Sequence, residues 1–128
     1  MYIAGLFAGI GGFERGMGLA GHNADLLCDV LPQSKAVLAA HFPDTEYSAD
    51  ICSLRDLPGR VDLVTAGFPC QDLSQAGRTA GLQGERSGLI SEVFRLLRRR
   101  KVPTVVVKNV PFMLQLNKGE AMRAIVDE

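Results

Sequence analysis

The chain has 128 residues, 47% apolar and 22% charged, which is room for one domain with a core and excludes a wholly disordered chain. Fourteen basic residues balance fourteen acidic ones, which argues against a generic nucleic-acid glue, and no apolar run reaches the roughly 18 residues of a spanning helix. Met1–Ile10 has no basic leader and so reads as no signal peptide, and three cysteines without a C-x-x-C or paired histidines argue against a disulfide framework or structural zinc and for a reducing, cytoplasmic setting.

Tyr2–Phe7 reads as a short apolar strand, followed by the glycine turn Ala8-Gly9-Ile10-Gly11-Gly12. Phe13, Met17 and Ala20 then fall on one helical stripe, and Gly21-His22-Asn23 ends that helix. Ala24–Cys28 is a second strand with Asp29 at its end. Pro32 opens a helix that continues through Ser34–His41 and stops before Pro43. Tyr47–Ile51 is a weak third strand ending near Asp50. Val61–Ala66 is a strong fourth, and a polar, glycine-bearing loop runs from Phe68 to about Gly84. Leu89, Ile90, Val93, Phe94 and Leu97 mark a helix closed by Arg98, Arg99, Arg100 and Lys101. Val102–Val107 is the most hydrophobic strand, with Lys108 and Asn109 at its end, and Glu120–Val126 is periodic again. This alternation predicts an α/β fold with a mostly parallel sheet.

In such sheets ligands bind at the carboxyl ends of the strands. The residues that packing does not explain fall there: Gly9 to Gly12, Asp29, Asp50, Cys70 and Asn109. Charge divides along the chain as well. Residues 1–64 carry four Lys/Arg and eight Asp/Glu, a net of −4, and residues 65–128 carry ten and six, a net of +4. The division hints at two faces with different partners, although solvated helix faces produce the same pattern.

Gly9-x-Gly11-Gly12 ahead of a helix lets backbone approach a ligand closely. Glu14 stands where the dinucleotide fingerprint G-x-G-x-x-G needs glycine, and no Gly-Lys-Ser/Thr follows, so two nucleotide classes are excluded. Asp29 and Asp50 are suited to accept hydrogen bonds from a nucleoside, at ribose hydroxyls and an adenine amino group respectively; the competing reading of Asp29 is a cap for the Pro32 helix. His22 and His41 sit at helix ends with no evident chemistry, and Cys28 and Cys52 read as small packing residues. The segment Gly67-Phe68-Pro69-Cys70-Gln71-Asp72-Leu73-Ser74 differs, because it sets a cysteine at the mouth of a strand, positioned for attack.

Three ordered motifs give the chain a family resemblance. Leu6-Phe7-Ala8-Gly9-Ile10-Gly11-Gly12-Phe13, then Gly67-Phe68-Pro69-Cys70-Gln71, then Gly81-Leu82 through Glu85-Arg86-Ser87-Gly88-Leu89 resemble the N-terminal part of a DNA (cytosine-5) methyltransferase. The resemblance implies an incomplete Rossmann-like, S-adenosylmethionine (SAM)-dependent fold, with SAM as methyl donor, no metal, and double-stranded DNA carrying a flipped cytosine as substrate. It places Phe7, Gly9, Gly11, Asp29 and Asp50 at cofactor-contacting positions, and Pro69, Gln71, Ser74 and Asn109 at substrate-contacting ones. Cys70 becomes the nucleophile that attacks C6, after which C5 takes the methyl group. A related enzyme class acting on tRNA shares this chemistry; the Pro-Cys-Gln loop points towards DNA.

Two departures stand out. The family's Glu-Asn-Val is here Lys108-Asn109-Val110, and that glutamate supports the target cytosine at N3 and its amino group. Lysine has donors but no acceptor, so the resemblance implies an inactive or impaired enzyme; the alternative is that Lys108 lowers the Cys70 pKa and stands in for the glutamate. Gly5 occupies the position where the family commonly has Asp. By the same resemblance, residues 1–128 are the cofactor half and nucleophile loop of a catalytic domain. The Arg-rich motif and target-recognition domain would come from a complementary C-terminal polypeptide, the alternative being that the segment is a truncated piece of such an enzyme. The competing function is a non-catalytic SAM- or nucleic-acid-binding relic or regulatory module. Arg95–Lys101 reads either as a phosphate contact or as ordinary helix C-terminal charge.

Overall fold

Apolar strands that alternate with amphipathic helices can bury both faces of a parallel sheet. The computed structural model describes residues 1–68, 89–111 and 120–127. The described elements are β1 (Tyr2–Leu6), α1 (Gly12–Leu19), β2 (Asn23–Cys28), α2 (Pro32–His41), β3 (Glu46–Ser48), β4 (Leu63–Ala66), α3 (Ile90–Arg99), β5 (Thr104–Val107) and α4 (Glu120–Val126). The strands pair in parallel in the order β3-β2-β1-β4-β5, which is the expected α/β, Rossmann-like arrangement. Strand order moves outward from β1 to β3, then returns to β4 and moves the other way to β5. A reversal of this kind opens a crevice above the carboxyl ends of β1 and β4.

The third strand stops at Ser48, earlier than Tyr47–Ile51 predicts. Asp50 turns the chain instead: its Oδ1 accepts from the Cys52 amide at 2.9 Å, and its carbonyl accepts from Ser53 Oγ at 2.7 Å. A short polar side chain bonded two residues on favours a turn over a ladder.

In-register parallel neighbours share a sheet face. Ala4, Leu6, Leu26, Cys28, Val64 and Ala66 form one face of the core and pack with Ile90, Val93 and Leu96 of α3. The opposite face carries the row Leu27–Gly5–Thr65–Val106. The stripe predicted for α1 is not its inward face. Phe13 is 45% exposed, whereas Glu14 is 3% exposed, because Gly5 on β1 leaves a space that the Glu14 carboxyl fills.

The basic end of α3 ties down the crossing segment between β3 and β4. Arg95 donates to the Ile51 and Leu54 carbonyls at 3.0 and 2.8 Å, Arg99 bonds Asp56 at 2.8 Å, and Arg100 donates to the Val61 carbonyl at 2.8 Å. These contacts support the structural reading of the arginine cluster.

The Gly11 conformation, φ 77°, is left-handed, and a Cβ there would sit 2.6 Å from Phe42 and 2.8 Å from Leu38. Gly11→Ala is therefore expected to destabilise by about 2–4 kcal/mol in urea denaturation. Gly12→Ala, where a Cβ meets nothing within 4 Å, should be neutral or slightly stabilising. A second expectation concerns Cys28, whose thiol is pushed from 9.0 up to about 11, chiefly by burial and against a lowering hydrogen bond with Ser48. The folded chain thus keeps this proton where the unfolded chain loses it, so stability present below pH 9 declines as pH rises towards 11. Denaturation midpoints across that window should show a slope that Cys28→Ala reduces by about one proton.

Candidate functional site

The turn after β1 is the starting point. Phe7, Gly9 and Gly11 have φ of 57°, 58° and 77°, so three of five consecutive residues are left-handed. Phe7 is not glycine, and a residue of its bulk in that region costs of order 1–2 kcal/mol. The fold holds the turn by donors and acceptors on both sides. The Ala8 amide donates to the Cys28 carbonyl at 3.0 Å, and the Gly11 amide to the Ala8 carbonyl at 2.9 Å.

Asp29 completes the clamp. Its Oδ2 accepts from the Gly9 amide at 2.8 Å and its Oδ1 from the Leu31 amide at 3.0 Å, while Tyr47 donates its hydroxyl to the Asp29 carbonyl at 2.6 Å. Capping does not describe this residue: the N-cap of α2 is Leu31, and that helix has no side-chain cap bond. Asp29 instead joins the ends of β1, β2 and β3.

These strand ends surround a cavity of about 800 Å³, within the size range of small-molecule sites. Phe7, Ala8 and Gly9 line it from the β1 turn, Asp29 and Leu31 from the end of β2, and Asp50 and Ile51 from beyond β3. Thr65, Ala66 and Gly67 contribute from β4, Val106 and Lys108 from β5, and Glu14 from α1. Of the residues singled out in the sequence, Phe7, Gly9, Asp29, Asp50 and Lys108 thus meet at one cavity. Gly11 lies outside the lining and packs against Phe42 and Leu38. Asn109 also lies outside it. The Asn109 Oδ1 accepts from the Val110 amide at 2.7 Å, and its buried Nδ2 has no acceptor among the described residues. Pro69, Cys70, Gln71 and Ser74 lie outside the described residues.

Neither described cysteine is prepared for attack. Burial pushes the Cys28 thiol up, and the exposed Cys52 thiol is also raised, by desolvation and then by the neighbouring Asp50. Both resist forming the thiolate that a nucleophile requires.

Sequence reasoning missed Glu14 and Thr65. Thr65 Oγ1 donates to Glu14 Oε1 at 2.5 Å, and a Cβ on Gly5 would lie 2.5 Å from the same oxygen. The available signal was Gly5 itself, since a glycine inside an apolar strand marks a close approach by another group. That packing accounts physically for the glycine at the position where the resemblance leads one to expect Asp.

The comparisons with known proteins agree with this architecture. Residues 1–128 match the family C-5 cytosine-specific DNA methylase. Type II methyltransferase M2.BsuMI of Bacillus subtilis is 47% identical over 126 residues, 95% of this chain and 32% of that protein. Type II methyltransferase M.AquIA of Picosynechococcus sp. is 32% identical over 136 residues, 98% of this chain and 55% of that protein. A DNA modification methyltransferase encoded within an E. coli prophage has the same fold, with a TM-score of 0.76 at 22% identity over 98% of this chain and 36% of its own. The Spodoptera frugiperda DNMT2 mutant does too, with a TM-score of 0.72 at 20% identity over 98% of this chain and 39% of its own. The chain spans between about a third and just over half the length of these two curated relatives. By the match over its whole length, the chain belongs to the C-5 cytosine-specific DNA methylase family.

Proposed function

We propose that residues 1–128 are the cofactor half and nucleophile loop of a DNA (cytosine-5) methyltransferase, which transfers a methyl group from SAM to C5 of cytosine in double-stranded DNA. The observation that carries this reading is the single cavity spanning five strand ends, with Asp29 and Asp50 at one side and Lys108 at the other, in a chain of this family. The residues present suit SAM. The two Asp side chains offer acceptors for ribose hydroxyls and an adenine amino group, and the left-handed turn at Gly9 brings backbone to the cavity wall. Asp29 retains capacity after its two amide bonds, because a carboxyl group has roughly four lone-pair sites.

When bound, SAM supplies an electrophilic methyl group. The chain's own task is to make a nucleophile of cytosine. Cys70 supplies a thiolate that adds to C6 of a base flipped from the duplex, which makes C5 nucleophilic. Once C5 has taken the methyl group and the donor has left as its neutral thioether, water accepts the C5 proton, and the freed electron pair expels the Cys70 thiolate and restores the ring. Pro69, Gln71, Ser74 and Asn109 hold the base. The setting is cytoplasmic, and a complementary C-terminal polypeptide, or a further segment of the same protein, supplies target recognition and the remaining catalytic motifs.

Lys108 favours a second reading, a SAM- or nucleic-acid-binding module without turnover. It stands at the end of β5, its amide bonded to the Ala66 carbonyl at 3.0 Å, and its exposed side chain borders the cavity. An ammonium there accepts no hydrogen bond from the cytosine amino group and opposes positive charge developing at N3.

Calorimetry with SAM is expected to give measurable binding, and Asp50→Asn should weaken it by about tenfold through loss of a charged acceptor; absence of binding to the unaltered chain would remove the cofactor reading. Methyl transfer from labelled SAM to duplex DNA, with the polypeptide carrying the remaining motifs supplied, separates the two functions. Lys108→Glu should raise the rate by about 10²–10⁴-fold. Equal rates before and after the substitution would show that Lys108 is no impediment, and transfer to tRNA in place of DNA would redirect the substrate.

A further inference from the structure

The Glu14 carboxyl is the one buried acidic side chain of the cavity wall that the proposed function leaves unused. It is 3% exposed and reaches from the first turn of α1 over the sheet face to Gly5 of β1 and Thr65 of β4, which are register partners. Its Oε1 takes the Thr65 hydroxyl at 2.5 Å. Its Oε2 is buried and has no donor among the described residues. A buried acceptor left without a donor is costly, so its retention calls for a partner that arrives with a ligand.

The position of Glu14 identifies that partner. Asp29 and Asp50 mark the β2–β3 side of the cavity, where the proposed reading puts a nucleoside. Glu14 and Thr65 line the same cavity on the far side of β1, beside β4 and Val106 of β5. A ligand long enough to cross β1 therefore brings its other end to a buried acidic group. The wall between is apolar, formed by Leu6, Phe7 and Ala66. A cationic donor suits an acidic acceptor best, through a charge-assisted hydrogen bond, and an anionic group does not suit it.

We propose that Glu14, positioned by Thr65 and admitted by Gly5, receives the α-ammonium group of the cofactor's amino-acid end. The inference rests on the SAM reading and adds to it a contact outside the positions that the sequence motifs supply. Gly5 is part of the device: any side chain there would displace the carboxyl, since a Cβ alone comes within 2.8 Å of its Cδ.

The test compares two probes on the full chain by calorimetry. S-adenosylhomocysteine carries the ammonium but no sulfonium charge; 5′-methylthioadenosine lacks the amino-acid end altogether. Glu14→Gln keeps the shape and the bond from Thr65 while replacing the Oε2 acceptor by a donor. Its affinity for S-adenosylhomocysteine should fall by about tenfold or more, and its affinity for 5′-methylthioadenosine should change by less than about twofold. Unchanged binding of both probes would overturn the assignment, and so would equal weakening of both, which would make Glu14 a purely structural residue. If the unaltered chain binds neither probe, the SAM reading itself fails and takes this contact with it. If the unaltered chain binds both probes and the variant does not discriminate, the SAM reading stands and only the Glu14 contact is lost.

Discussion

The Asp29 carboxyl is the constraint on which the rest of the site depends. Its two oxygens hold the Gly9 and Leu31 amides, and its backbone carbonyl holds the Tyr47 hydroxyl, so one residue at the end of β2 fixes the turns that follow β1 and β2 and anchors β3. The turn from Phe7 to Gly11, left-handed at Phe7, Gly9 and Gly11, has no side-chain preference for its shape at Phe7, and persists because these bonds determine it from outside. Removing the carboxyl would release the amides at the same time as it removed the acceptor. Loss of structure and loss of ligand affinity are therefore coupled at Asp29. Under the proposed function they are separable at Asp50, which is exposed and, among the described residues, bonds within its own turn.

The sheet was legible because buried parallel strands such as β1, β2 and β4 leave continuous apolar runs, and the weaker third candidate is also a strand, over Glu46–Ser48. Boundaries were less legible where a polar side chain overrides propensity, as Asp50 does in ending β3 early. The inward face of α1 was not legible at all. Helical periodicity assigns buried positions to apolar residues, and Phe13 and Met17 obeyed that rule in the sequence. A glycine on the facing strand creates a space of the wrong shape for them, beside a hydroxyl that rewards an acceptor, and Glu14 takes it. The inward face of α1 is set by the strand beneath it, which helical periodicity alone does not carry. The motif residues Phe7, Gly9, Asp29 and Asp50 were traceable to the cavity because each sits at or just beyond a strand end. Gly11 was singled out for the same reason, yet its contacts are with Phe42 and Leu38 in the packing beneath α1.

The division of charge along the chain also acquires a physical meaning. The acidic first half contributes Glu14, Asp29 and Asp50 to the cavity, Asp29 and Asp50 on the β2–β3 side and Glu14 between β1 and β4. Much of the basic second half is spent within the fold, where Arg95, Arg99 and Arg100 fasten the segment between β3 and β4 to α3. An arginine bonded to two backbone carbonyls, as Arg95 is, has little freedom left to follow a phosphate backbone. The net charge of +4 in residues 65–128 therefore overstates what those residues offer to DNA.

Lys108 differs from Arg95 and Arg100: its side chain is exposed at the cavity rim, with no side-chain bond to the fold among the described residues. Its effect depends on which reacting group it faces. Beside a thiol, an ammonium stabilises the thiolate and would favour addition to the base. Beside the base, the same charge opposes protonation at N3, and the lack of an acceptor leaves the cytosine amino group unpaired in a desolvated site. The second effect acts on the developing charge of the transition state, whereas the first only raises the population of a reactant form. Stabilising the thiolate also lowers its nucleophilicity, so gain and loss partly cancel on that side. Under the proposed function, impairment is therefore the expected balance of these effects, and the side of the cavity lined by Asp29, Asp50 and Glu14 is the half that Lys108 affects least.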